Sequence, residues 1–538
     1  MTGTGMVVCP QPEAAEAGVE ILRAGGNAVD AAIACALAQT VVDPQMCGIA
    51  GFGSLAVCKP AEGVHEYLDF HAPAPQAARP DMWADIVEGE TRDGFGFLLK
   101  GRVNDLGYQS ICVPAALKAY EAAHKAHGRL PWKEVCAPAI QWAEHGFFVR
   151  PAMYAFWIDE GTMGRVSSRE RLAYTASGRA MYCRADGSAK TIGTPLRNPD
   201  YAATLRQIAE GGADVFYRGA IADRIVADMA ANGGLLGRAD LEGYQPVRTT
   251  PLTGTYRGRR VATNQPPGGG VMLLEMLNIL EGFDLAGIGH NTPEYVRVVC
   301  EAMKRATVDK DRFVGDPAFV DVPLDRLTSK DYAAGLAEQI RRGEKAEVPR
   351  LKPADLVPKD TTHLSVVDAD GNCVAMTHSL GMPSGVITEG LGFMYNGCMG
   401  VFDPRPGRAG SIAPGKSRFS AMCPTIVFEG DRPLLVLGAP GGTQIVMGVL
   451  QAILNVLDFG MTMAEAVAAP RFSSTSNAID VSNRIPRFVT RELEAQGYEV
   501  IRNPFGYTIG WVHGIRILPD RLDGAADPGR DGVALATG

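Results

Sequence analysis

Residues 341–360 read RRGEKAEVPRLKPADLVPKD, and residues 361–380 read TTHLSVVDADGNCVAMTHSL. The first stretch holds three prolines and a dense mix of charges with little periodicity, the composition of a linker or exposed loop. The second alternates apolar and polar residues on both sides of Asp368-Ala369-Asp370-Gly371-Asn372, which predicts a β-hairpin. Everything turns on the junction Asp360-Thr361, where the linker stops and the strand begins. On spacing alone, Thr361 is a β-former at the start of a hairpin.

Working toward the N-terminus, GGGVMLLEMLNILEGFDL (268–285) reads as a buried helix after a glycine-rich start. Strand-like pieces are expected within Arg248–Asn264, and helices over Tyr201–Gly211 and Gly219–Asn232. Further helical patterns fill Pro114–Gly146. Residues 80–110 are polar and Gly-rich, and read as a loop region. Val64–Phe70 reads as a strand. Ala28–Val42 is apolar almost throughout and too short to span a bilayer, so a buried core helix is expected there. Gly25-Gly26-Asn27 before it reads as one helix stop and a new start. Toward the C-terminus, strands are expected at Thr425–Phe428 and Pro433–Gly438, then a helix over Thr443–Gly460. Helix-rich and strand-rich stretches mixed in this way argue for an α+β or layered α/β architecture.

The 538 residues suggest three or four domain-sized pieces or one large layered unit, with ample length for a core without staples. Hydrophobic residues make up 46% and charged residues 21%, too apolar for a disordered chain. A formal net charge of −8 argues against nucleic-acid and anionic-membrane partners. The 11 cysteines show no C-x-x-C pair, and scattered single cysteines suit reduced thiols in a cytoplasmic protein. MTGTGMVVCPQPEAAE has no basic region followed by an apolar one, so no signal peptide is read. The sequence lacks H-E-x-x-H, G-x-S-x-G and a P-loop, its nine histidines have no ligand-like spacing, and no metal or cofactor is implied.

Many colinear motifs nevertheless resemble one family, the γ-glutamyltranspeptidases, which are N-terminal-nucleophile (Ntn) hydrolases. They include AGVEILRAGGNAVDAAIA (17–34), VVDPQMCGIAGFGS (41–54), VPAALKAYEAAHKAHGRLPW (113–132), NGGLLGRADLEGYQPV (232–247), TTHLSVVDADGNCVAMT (361–377) and GAPGGTQIVMGVLQAILNVLDFGMTMAEAVAAPRF (438–472). The tail GAADPGRDGVALATG is similar to the family's closing segment. The resemblance implies a four-layer αββα sandwich. It implies that Thr361 attacks the carbonyl of Asp360, and that hydrolysis of the resulting ester splits the chain into 1–360 and 361–538. The two fragments would stay together as one intertwined heterodimer. The freed α-amino group of Thr361 has a reference pKa near ~8 and serves as base for its own hydroxyl. Gly441 and Gly442 match the pair whose N–H groups face the oxyanion. Ser379 stands where the family keeps a hydroxyl on the nucleophile, and Thr377 supports the same hairpin.

The chain departs from the family where glutamate is read. His71 replaces the arginine that holds the α-carboxylate, in Leu68-Asp69-Phe70-His71-Ala72-Pro73. Ser420-Ala421 replaces a Ser-Ser pair, Gly381 an asparagine, and Cys398 and Val401 the groups that grip the α-amine. A histidine cannot form the bidentate fork of arginine. Arg418 appears where the family usually has an uncharged residue. The segment 403–419 is also shorter than in lidded members, which implies a more open or differently closed site.

Together these changes predict an amidohydrolase whose small-molecule amide substrate carries a carboxylate in its acyl part but no α-amine, as in oxamate or glutaryl amides. Its substrate-binding residues would be His71, Arg418, Ser420 and Cys398, with water as the default acceptor. A true γ-glutamyl hydrolase or transpeptidase, and a catalytically silent fold homologue, remain as rival readings.

Overall fold

The computed structural model describes residues 4–160, 165–351, 353–354 and 361–538. Asp360, on one side of the expected cut, lies outside the described residues.

Two antiparallel sheets form the centre. The first has seven strands in the order Val533–Ala536, Met6–Cys9, Thr362–Val367, Cys373–Ser379, Phe52–Lys59, Val64–Phe70 and Val247–Thr249. The second has six, in the order Leu522–Ala526, His513–Ile517, Arg432–Gly438, Thr425–Glu429, Arg259–Thr263 and Leu252–Tyr256. Both sheets take strands from before and after position 360.

The hairpin after Thr361 lies in the middle of the first sheet, with Thr362 opposite His378 and His363 opposite Thr377. Its alternation assigns its faces. Leu364, Val366, Val374 and Met376 pack into the helix-side core. Val367, Cys373 and Ala375 join Ile426, Val436 and Ile515 of the second sheet in a separate apolar layer between the sheets. Both faces of these strands are buried, so their polar residues, such as His363, Ser365 and Thr377, are hydrogen-bonded to protein groups.

Helices cover the outer faces. Ala28–Val42 is buried along all 15 residues, as its all-round apolarity requires. Its start is fixed by a capping box: Asn27 accepts from the Val29 and Asp30 N–H groups, while Asp30 accepts from the Asn27 N–H. Gly25 supplies the left-handed residue that stops the preceding helix, at φ 93°. Gly270–Glu281 and Ile445–Leu457 pack on the second sheet. The result is the αββα sandwich.

The structure corrects two local readings. Within residues 80–110, Val87–Thr91 and Phe97–Leu99 form an antiparallel hairpin rather than loop alone. The Pro-rich stretch contributes a short strand, Pro353–Ala354, which pairs in parallel with Glu90 and Thr91. These strands are short, and the parallel pair joins residues far apart in the chain, so no run of local alternation announces them.

Candidate active site

Thr361 precedes the central strand and is 4% exposed. Its Oγ1 donates to Ser379 Oγ at 3.1 Å, and Ser379 Oγ accepts the Gly381 N–H at 2.7 Å. Ser379 ends the partner strand of the hairpin, so the sheet register itself brings the two hydroxyls together. Thr377 points the same way one step deeper and bonds His363 Nδ1 at 2.8 Å. His363 Nε2 continues to Ser365 Oγ at 3.0 Å, giving a polar strip between the sheets below Thr361. On the opposite face, Thr362 Oγ1 accepts from Gln39 Nε2 at 3.0 Å, and Gln39 Oε1 meets His378 Nε2 at 2.7 Å. His378 Nδ1 bonds the Tyr120 hydroxyl at 2.6 Å. Burial depresses the pKa of both His363 and His378 to about 3, so both are neutral hydrogen-bonding groups.

Gly441 and Gly442 lie at the end of the strand Arg432–Gly438, in the turn before the helix Ile445–Leu457. Their φ values are 137° and 56°, and a side chain at either would be strained. A Cβ on Gly441 would also come within 3.2 Å of the Gly510 backbone. The turn lies directly before a helix N-terminus, a place suited to negative charge.

Thr361, Gly381, Val401, Arg418, Ser420 and Gly442 line one cavity of about 20 Å³, together with Gly94 and Phe95. That is room for about one water molecule. Arg418 is 5% exposed and lies over the Phe52 ring, its guanidinium carbon 4.3 Å from the ring centre. It donates to the Phe419 carbonyl at 3.0 Å and weakly to Cys398 Sγ at 3.7 Å. Its Nε has no partner, and no carboxylate lies within ion-pair distance among the described residues. Ser420 is held by its N–H to the Pro267 carbonyl at 2.8 Å.

His71 and Cys398 stand back from this cavity. Cys398 lies behind Gly381 against Arg418, and burial raises its thiol pKa, keeping it protonated. His71 lines a neighbouring chamber of about 700 Å³, with Asp69, Tyr244, Pro266 and Pro267. Its Nε2 lies 3.8 Å from Asp69 Oδ1, yet among the described residues neither ring nitrogen has a hydrogen-bond partner. Burial, reinforced by Arg418, lowers its pKa to about 3, and burial pushes Asp69 up to about 7. The contact is therefore one of neutral imidazole and largely neutral carboxyl at mildly acidic pH, and not an ion pair.

The tip residues Gly94 and Phe95, with Thr443, escaped the sequence reading. The one available signal was R-D-G-F-G at 92–96, a turn motif inside a polar stretch. Among the described residues no group of three or more His, Cys, Asp or Glu could hold a metal, and no helix is long and apolar enough to cross a membrane. All 11 cysteines are buried and free.

Stacked antiparallel sheets between helical layers, with a threonine opening a central strand, define an Ntn-type hydrolase fold. A match to the family described as Gamma-glutamyltranspeptidase covers residues 14–537. The chain belongs to the γ-glutamyltranspeptidase family, a family of enzymes. It is 38% identical over 539 residues to the Acylase ACY 1 proenzyme of Pseudomonas sp. (strain SE83), spanning 99% of this chain and 93% of that one. It is 34% identical over 543 residues to the Glutathione hydrolase proenzyme of Escherichia coli (strain K12), spanning 97% and 90%. In structure it resembles the cephalosporin acylase from Bacillus halodurans, with a TM-score of 0.87 at 31% identity over 99% of this chain and 96% of that one.

Proposed function

We propose that the protein is a self-processing amidohydrolase that works through a Thr361 acyl-enzyme, and that its acyl group is small and carries a carboxylate without an α-amine. Oxamate and glutaryl amides are the types that fit. The observation that carries this reading is Arg418: a buried guanidinium, with no anionic partner among the described residues, in the same cavity as Thr361. A buried charge is costly unless paired, and a substrate carboxylate would pair it.

In this reading Thr361 Oγ1 attacks the Asp360 carbonyl, the peptide nitrogen departs as the new α-amine, and water hydrolyses the ester. Residues 1–360 and 361–538 remain interleaved, because both sheets draw strands from each. The name proenzyme, borne by the Pseudomonas and E. coli relatives, supports such processing. In turnover the α-amine takes the hydroxyl proton while Oγ1 attacks the substrate amide. Ser379 orients Oγ1, and the N–H groups of Gly441 and Gly442 receive the oxyanion, each such donor being worth roughly 3–4 kcal/mol of barrier. The amine leaves and water completes hydrolysis. Thr377 holds the hairpin through His363. Because the cavity in the uncut chain holds about one water, acyl binding requires it to open.

An α-ammonium in this pocket would face Arg418 and meet no carboxylate among the described lining residues, which disfavours a γ-glutamyl group. The resemblance to a glutathione hydrolase keeps that substrate in the test. A denaturing gel should show two bands, and turnover of glutathione, γ-glutamyl anilide, glutaryl anilide and oxamate should favour the last two. γ-Glutamyl turnover above that of the carboxylate-only amides would overturn the substrate assignment, and a single uncut band would overturn the mechanism.

A further inference from the structure

The hairpin Val87–Thr91/Phe97–Leu99 brings a residue from before position 360 onto the glycine turn after it. Asp93, at its tip, is 2% exposed. Its Oδ1 accepts the Phe95 N–H at 3.1 Å, which closes the tip on itself. Its Oδ2 accepts the Thr443 hydroxyl at 3.0 Å. Thr443 directly follows Gly442, and Gly94 and Phe95 line the cavity that holds Thr361 and Gly442.

The carboxylate does not stand in this buried place uncompensated. Arg92, Arg165 and Arg350 are close enough to interact with its charge. Two of those arginines, Arg92 and Arg350, are themselves held by hydrogen bonds. Arg92 makes two bonds to Asp480, at 2.7 and 3.1 Å. Arg350 donates to the Arg92 carbonyl at 3.1 Å and the Thr475 carbonyl at 2.8 Å. The Arg350 guanidinium packs against Gly94 so closely that a Cβ there would meet it at 2.8 Å. The tip is thus a rigid post, anchored on several sides.

A rigid post matters because the turn it touches is intrinsically loose. Two consecutive glycines have more conformational freedom than any other pair, and oxyanion stabilisation needs their N–H groups aimed before the charge develops. The helix Ile445–Leu457 restrains the turn from one side. We propose that Asp93 restrains it from the other: it is a positioning residue that acts through Thr443 to aim the Gly441–Gly442 N–H groups, and it touches neither substrate nor reacting atoms. This rests on the reading that the turn receives the oxyanion.

The test uses Asp93→Ala, Thr443→Val, the double variant and Thr443→Ser. Thr443→Val keeps the shape and removes the donor, while Thr443→Ser keeps the donor. Each disabling single variant should lower kcat about 10- to 100-fold with KM unchanged, the scale of a misaimed donor rather than a missing one. The double variant should be no worse than the worse single one, and Thr443→Ser should stay near wild type. Amide hydrogen exchange of the peptide 439–446 should quicken about tenfold in Asp93→Ala and Thr443→Val and not in Thr443→Ser, a loss of protection from local opening. Asp93→Asn, which keeps the shape, replaces Asp93→Ala should the latter fail to fold.

Unchanged exchange at 439–446, additive effects on kcat, or a Thr443→Ser variant as poor as Thr443→Val would each overturn the proposal. Failure of the functional reading looks different: the wild type turns over nothing in the panel, or Thr361→Ala keeps its activity. The exchange measurement decides the role of Asp93 in either case.

Discussion

The hairpin that carries Thr361 and the wall that carries Arg418 face one cavity but treat their polar atoms in opposite ways. On the hairpin, Thr361, Thr362, His363, Thr377, His378 and Ser379 all find protein partners at 2.6–3.2 Å. On the wall, Arg418 Nε and both nitrogens of the adjacent His71 are buried without any among the described residues. A satisfied buried network rigidifies what it holds, whereas an unsatisfied one leaves groups in want of a ligand. In the proposed function this contrast divides labour: chemistry on a preset sheet register, recognition on the wall around Arg418.

The harshest way to break this contrast is Thr361→Ala. It should leave a single uncut 57.2 kDa chain on a denaturing gel and abolish turnover, with the fold retained because Thr362 and His378 keep the hairpin's network. Two bands from this variant would remove Thr361 as the cutting nucleophile. Next in size is Arg418→Met. Loss of a charge-assisted contact should cost about 100-fold in kcat/KM for carboxylate-bearing amides. The same substitution removes a buried cation with no counter-ion among the described residues, and should stabilise the substrate-free protein by about 1–4 kcal/mol, read as a raised unfolding midpoint. A variant that loses activity and stability together would mean that Arg418 is a structural residue with partners of its own.

The two regions also differed in what the sequence disclosed. The hairpin was legible because its apolar and polar residues alternate and Asp368–Asn372 has turn chemistry. The helix Ala28–Val42 was legible because few segments other than core helices are apolar on every side. The family motifs pointed to Thr361, Ser379 and the glycine pair. The wall was legible only as substitutions: His71 for arginine, Arg418 for a neutral residue. That Arg418 has no counter-ion among the described residues is a property of what folding places around it, and no spacing encodes it. His71 was expected in the acyl pocket, yet its ring lines the adjacent 700 Å³ chamber. Asp93 was invisible, because the strands that present it are short and one of them pairs with Pro353–Ala354, far along the chain.

The finest test of the contrast compares two histidines that are both neutral for the same reason. His378 and His71 each have a pKa near about 3, set chiefly by burial, against an ordinary value of 6.5. Because the folded value is depressed, the unfolded chain takes up a proton first as pH falls. Stability from each neutral imidazole is therefore whole above pH 6.5 and is lost toward pH 3, at about 1.4 kcal/mol per pH unit per histidine. His378→Gln and His71→Gln should each flatten the acid dependence of the unfolding midpoint by one proton's worth. At pH 7 they should separate. His378→Gln disturbs bonds to Tyr120 and Gln39, at about 1 kcal/mol each, while His71→Gln disturbs none. Denaturant titrations at pH 7 and pH 5 measure both effects. Equal losses at pH 7 would mean that the wall beside Arg418 is as fully bonded as the hairpin, and the contrast between the two regions would fall.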